Sequence, residues 1–280
     1  MTHLTESRAG TAHPAVPARL ARSWHLVSGL RLEDAAASQA DAVVIDLEDA
    51  VPGDAKESAR QAAARFLDDR PAWVRVNDVT SPHWAHDLRV IGASQGLLGI
   101  ILAKVESAAD VERTALALAR GAKIVALIES ACGLEAASEI ARQEGTFRLA
   151  FGSGDFRRDT GMHDDPVALA YPRSRLVVAS AAAGLPGPID GPTLSDSLDR
   201  VSEATSASRA LGMTGKLMLR SAHAATINEA LSPTPAELAW AEATVEAATD
   251  GSAIDGSYLP TLARARATLT LAADLGLARR

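Results

Sequence analysis

Cysteine is almost missing from this chain: Cys132 is the only one in 280 residues. That excludes an internal disulfide and a multi-cysteine zinc site, and it fits a reducing compartment. Basic clusters are missing too. The 28 Lys and Arg residues are scattered and the net charge is −7, whereas a nucleic-acid groove needs a basic stripe. No apolar run approaches the length of a membrane span. Residues 1 to 20 carry charge, His and Pro without an apolar segment, so they read as a disordered tail rather than a signal peptide or anchor. These absences point to a cytoplasmic protein with neither nucleic acid nor membrane as a partner. The glycines at 152 and 154 and at 184 and 187 lack the strand-Gly-helix setting of a dinucleotide fingerprint. The histidines show no metal-ligand spacing with Cys132 or with one another, and read as surface residues.

What is present is an alternation. Short β-branched runs are separated by Ala-rich stretches of helical period, the pattern of parallel strands with crossover helices. Eight candidate strands cover 24–27, 42–46, 72–76, 98–103, 123–128, 148–151, 186–190 and 216–219. Eight is the number that closes a barrel, so the expected class is α/β, a (β/α)8 TIM barrel over 21–232. Residues 233–280 would add a helical C-terminal lid or oligomerisation segment, opened by a capping box at Thr234 and Glu237. Ser107 and Asp110 form another such box.

Polar residues that close barrel strands line the rim where such folds place their chemistry. In chain order these are Asp46 and Glu48, Arg75 and Asn77, Lys104 and Glu106, Glu129, Asp155, Asp190 and Arg220. The run VVIDLEDAV is the most pointed of them, an apolar strand ending in Asp46, Glu48 and Asp49. Any one of these acids could simply cap the next helix. Glu129 and Asp155 present hard oxygen ligands of the kind that suit Mg²⁺. Arg75 could fork onto a carboxylate or enolate, or pair internally with Glu48 or Asp49. Lys104 follows an apolar strand and is the Schiff-base candidate, because Lys56 reads as a helix residue and Lys123 and Lys216 as lying at the opposite rim.

The pieces RSWHLVSG, ADAVVIDLEDAVPGDAKESAR, VRVN, LAKVES, LIESACGL, AFGSGDF, GKLMLRSAHAATINEALSPTP and AIDG together resemble the citrate lyase beta-subunit-like group of the HpcH/HpaI aldolase superfamily, from about residue 22 to 272. The resemblance implies a Mg²⁺-dependent barrel, a homotrimer or homohexamer, that cleaves or forms a carbon-carbon bond in malyl-, citramalyl- or citryl-thioesters. A CoA thioester and a 2-oxo acid would be its small-molecule partners. It further implies Glu129 and Asp155 as metal ligands and Arg75 as the arginine that holds substrate oxygens. Glu48 and Asp49 would contact metal waters and orient Arg75. Asp46 and Lys104 would complete the substrate pocket, and Asp255 matches an aspartate that reaches a neighbouring subunit's site. Two departures from the group's pattern stand out: Ser28 where a proline is common, and Arg220-Ser221 where His-Pro is common. Arg220 could therefore bind an additional carboxylate or the phosphates of coenzyme A. Other readings are a metal-dependent aldolase on free 2-oxo acids, a Schiff-base aldolase through Lys104, and a non-catalytic or acyl-carrier-binding subunit of a lyase assembly.

Overall fold

Successive side chains on a strand point to opposite faces, and in a barrel that alternation separates an interior from an outer layer. Both layers are apolar here, which is why the strands read as unbroken β-branched runs. Trp24, Leu26, Val44, Trp73, Ile101, Val125, Leu127, Ala150, Ile189 and Leu217 form one buried cluster that fills the interior. Ile45, Val74, Val76, Ile100, Leu102, Ile124, Ile128 and Phe151 belong to a second cluster, shared with the helices. In this computed structural model, which describes residues 16–118, 121–249 and 258–277, the strands are β1 (Ser23–Ser28), β2 (Ala42–Asp46), β3 (Ala72–Val76), β4 (Leu97–Leu102), β5 (Ile124–Ile128), β6 (Thr146–Phe151), β7 (Ile189–Asp190) and β8 (Gly215–Met218). They close in sequence order into a parallel eight-stranded barrel, the expected (β/α)8 fold.

β7 keeps only two of the five residues expected, because Pro186 and Pro188 cannot donate to a ladder. The capping box before the helix Ala108–Ala117 is formed, with the Ser107 amide donating to Asp110 Oδ2 at 2.9 Å. Thr234 and Glu237 form the other, at 2.7 and 3.2 Å.

The interior is filled by size matching. Trp24 and Trp73 meet edge to face at 5.0 Å, and Gly99 leaves the room, since a Cβ there would lie 2.5 Å from the Trp73 ring. Arg148 closes the end at which the strands begin. Its guanidinium is fully buried and donates to Gly187 O, Ala21 O and Thr214 Oγ1 at 2.7 to 2.9 Å, with the Trp24 ring 5.7 Å away. No carboxylate answers it among these contacts, so burial alone pulls its pKa down to about 9. Gly215 makes space for that guanidinium.

Three sequence expectations are corrected. Lys216 is not at the opposite rim: β8 starts one residue earlier than expected, and Lys216 is buried in the outer layer, where Nζ donates to Asp190 Oδ2 and Gly191 O at 2.8 and 2.9 Å. Asp190 is consumed by the same network, accepting from Arg173 at 2.8 Å, and faces away from the interior that Ile189 fills. His25 and His223 are buried rather than surface residues.

The chain divides into the barrel unit Ala18–Leu231 and a second unit that takes in the residues from Ser232 onward. In the latter the helices Pro235–Thr249 and Tyr258–Asp274 pack together, with Arg264 stacked 5.1 Å over Trp240. No helix among the described residues is long and apolar enough to cross a membrane. Arg148→Ala would remove the donors that the guanidinium gives to Gly187 O, Ala21 O and Thr214 Oγ1 and open a void at the strand starts. Urea unfolding should show a loss of about 3 kcal/mol, and an unchanged midpoint would contradict this packing.

Candidate active site

The alternation that fills the barrel also aims its chemistry. Two residues beyond the interior Val44, Trp73 and Leu127, the same faces of β2, β3 and the end of β5 carry Asp46, Arg75 and Glu129. Asp46 and Arg75 are register partners. Arg75 Nε and Nη2 fork onto Asp46 Oδ1 and Oδ2 at 2.8 and 2.6 Å, and Nη1 reaches Glu48 Oε2 at 3.1 Å. Burial works against the charge of Arg75, but Asp46 and Glu48 outweigh it and raise the guanidinium pKa. Asp46 mirrors this: burial would raise its pKa, and Arg75 with two backbone amides holds it below the usual value.

Asp46 was expected to touch substrate, and the geometry corrects that. Each of its oxygens already takes two donors, Oδ1 from Glu48 N and Arg75, Oδ2 from Ala50 N and Arg75. It fixes the arginine instead. Glu48 shares the task, while Asp49 does not pair with Arg75 at all: it is largely exposed and lies 3.8 Å from Lys104 Nζ.

The acidic turn rests on Asn77 and on Lys56, which the sequence places on a helix without a site role. Lys56 Nζ donates to Leu47 O, Glu48 O and Asn77 Oδ1 at 2.7 to 2.9 Å. Asn77 donates to Leu47 O and to Asp87, which is paired with the buried Arg60 at 2.9 Å. A signal for Lys56 existed, since a lysine opening a helix opposes the helix dipole and needs another reason to be there.

Lys104 follows β4 with φ 49°, the one described non-glycine residue at positive φ. That conformation costs about 1–2 kcal/mol. It turns the Lys104 amide toward Glu129 Oε1, at 2.8 Å. The ammonium contacts Glu48 Oε1 and lies 3.8 Å from Asp155 Oδ2. Burial would lower its pKa, yet the surrounding carboxylates raise it. A Schiff-base lysine must lose its proton readily, so the structure argues against that reading of Lys104.

Glu129 is buried, with its pKa pushed up to about 8 by burial first, then by Glu48 and Asp155 against the opposing pull of Arg75. Gly152 makes its placement possible, because a Cβ there would sit 2.4 Å from Glu129 Oε2. Asp155 lies in the first turn of the helix Ser153–Thr160. Oδ1 pairs with Arg158 at 3.1 Å, and Oδ2 is buried without a hydrogen-bond partner. Lys104, Glu106, Glu129, Ser130, Asp155, Arg158 and Asp159 line a cleft of ≈ 390 Å³. Arg220 is not among these lining residues; it pairs with Asp196. Asp255 lies outside the described residues.

An orphaned carboxylate oxygen beside a carboxyl group that burial has pushed upward is what a hard cation would satisfy. Among the described residues no three His, Cys, Asp or Glu side chains converge as a ligand set. A cation here would therefore take two protein carboxylates and complete its shell from water and substrate, as Mg²⁺ does.

Residues 27–221 match HpcH/HpaI aldolase/citrate lyase, and 236–276 match the HpcH/HpaI aldolase C-terminal domain. The chain belongs to the HpcH/HpaI aldolase/citrate lyase family. It is 32% identical to a citrate lyase subunit beta-like protein of Deinococcus radiodurans, covering 83% of this chain and 89% of that one. It is 30% identical to the L-malyl-CoA/beta-methylmalyl-CoA lyase of Rhodobacter capsulatus, over 81% and 84% of the two chains. It is also 30% identical to a (3S)-malyl-CoA thioesterase of Cereibacter sphaeroides, over 86% and 89%. The structure superposes on CitE of Mycobacterium tuberculosis in complex with magnesium, acetoacetate and coenzyme A with a TM-score of 0.77 at 26% identity, covering 91% of this chain and 99% of that one.

Gly152→Ala should leave the barrel folded but displace the Glu129 carboxylate. The Lys104 amide then loses its acceptor, and its hydrogen exchange should accelerate in the variant. Unchanged exchange at that amide would contradict the geometry.

Proposed function

We propose that this chain is a Mg²⁺-dependent carbon-carbon lyase acting on a 3-hydroxyacyl-CoA thioester, of the malyl-, citramalyl- or citryl-CoA kind, in either direction. The observation that carries the reading is the unpartnered Asp155 Oδ2 facing the same cleft as Glu129, next to an arginine locked by Asp46 and Glu48. Relatives named as CoA-thioester lyases support the reaction class, and the magnesium and coenzyme A in the CitE complex support the cofactor and carrier.

Glu129 and Asp155 would hold the cation. When bound, it supplies Lewis acidity to the oxygens of the 2-oxo acid fragment. The remaining work falls to side chains. In cleavage, a base takes the proton of the 3-hydroxyl, the bond between the carbinol carbon and the thioester α-carbon breaks, and its electron pair passes to the thioester carbonyl as an enolate. Arg75 donates to that oxygen, where charge develops only as the bond breaks, so a guanidinium already fixed in place lowers the barrier without reorganising. The enolate carbon then takes a proton, leaving an acyl-CoA and a 2-oxo acid. Asp255 of a neighbouring subunit is the proposed base, which would make a homotrimer or homohexamer part of the mechanism. Glu48 helps to fix Arg75, and with Asp49 it receives Lys104 and would orient water around a bound cation.

Glu129→Gln and Asp155→Asn each keep side-chain shape while removing charge. Assayed as release of a 2-oxo acid from malyl- or citramalyl-CoA, each should lower kcat/KM by about 10³-fold, and chelation should abolish the wild-type rate. Full activity in the presence of chelator would overturn the reading.

A further inference from the structure

Five carboxylates, Asp46, Glu48, Asp49, Glu129 and Asp155, crowd the ends of two strands and the first turn of a helix, and Arg75 is spent on two of them. Glu129 makes no ion pair among the described residues, and Asp155 has Arg158 on Oδ1 at 3.1 Å but no hydrogen-bond partner on Oδ2. Lys104 meets both, by its amide at Glu129 and by its ammonium 3.8 Å from Asp155 Oδ2. At that separation the ammonium adds to the charge Arg158 supplies at Oδ1 without taking the lone pair of Oδ2, which keeps no hydrogen-bond partner. On its other side Nζ touches Glu48 and stands 3.8 Å from Asp49. It therefore has somewhere to go.

We infer that Lys104 stands in for the divalent cation in the metal-free site, and that its ammonium swings away from Asp155 toward Asp49, keeping its bond to Glu48, when the cation arrives. This rests on the assignment of Glu129 and Asp155 as the metal carboxylates. The left-handed backbone at Lys104 is what allows one residue to serve both, since it aims amide and side chain at the two carboxylates together. Lysine suits the task because it is a compact charge on a flexible stem, able to retreat without breaking a fork as arginine would. The consequence is a competition: the ammonium shields Asp155 while the cation is absent and weakens metal binding by its own charge.

An ordinary salt bridge and a stand-in differ in sign. Removing a merely structural lysine would leave Mg²⁺ affinity unchanged or lower it, whereas removing a competitor tightens it. Calorimetric titration of the full chain with Mg²⁺, for wild type, Lys104→Met and Lys104→Gly, reads this directly. Glycine accepts the backbone conformation, so that variant keeps the test open if methionine does not fold. The expected result is at least a tenfold lower Kd in the variants, with a lower metal-free Tm for Lys104→Met and a larger rise in Tm on adding Mg²⁺. Equal or weaker affinity in a folded variant would overturn this inference alone, leaving the metal site standing. Failure of both variants to fold even with Mg²⁺ would also overturn it. No Mg²⁺ binding by wild type would overturn the metal assignment and this inference with it.

Discussion

The fork between Arg75 and Asp46 is the interaction on which the rest of the site depends. Asp46 spends all four of its acceptor directions, two on the guanidinium and two on the amides of Glu48 and Ala50. One carboxylate thus sets both the direction of the arginine and the course of the chain after β2, which delivers Glu48 to its second contact. Removing one partner of such a buried pair typically costs about 3–5 kcal/mol, because the other charge is left uncompensated. A fixed guanidinium is useful only if it need not move when charge develops, and the second network, from Lys56 through Asn77 and Asp87 to Arg60, holds the same turn from beneath.

Around that anchor the site is deliberately short of cations. Two of its carboxylates satisfy Arg75, and the two that line the cleft do not have a full complement of donors. Glu129, whose pKa burial raises first of all, and Asp155, with one oxygen orphaned, share a deficit of donors. A divalent ion would remove it, with a lysine on a strained backbone covering part of it meanwhile. Gly152 shows how closely the backbone has been fitted to this purpose, since any side chain there would occupy the space of the Glu129 carboxylate.

Much of this could be read from the residues. Unbroken β-branched runs located the strands, and counting by twos from their interior members leads to Asp46, Arg75 and Glu129 at the rim. The same rule explains where reading the rim failed. Asp190 closes an apolar run as those residues do, but it falls on the outward face, one residue past the interior Ile189, where Lys216 and Arg173 consume it. Lys216 was misplaced because β8 begins at Gly215. The left-handed conformation of Lys104 has no signature in the residue itself, since glycine is the usual occupant of that region. Asp46 looked like a substrate contact because its partners come from a separate strand and two amides, and pairing across strands is what a single sequence conceals.

The central claim is that carbon-carbon cleavage, rather than hydrolysis of the thioester, is what this site performs. A relative named as a thioesterase makes the contrast a real one. The direct measurement is to incubate the protein with Mg²⁺ and malyl- or citramalyl-CoA and to follow two products at once, 2-oxo acid by hydrazone formation and free coenzyme A by its thiol. The account predicts 2-oxo acid in step with an intact acyl-CoA and no free thiol. Release of free coenzyme A with the hydroxy diacid left whole would contradict it.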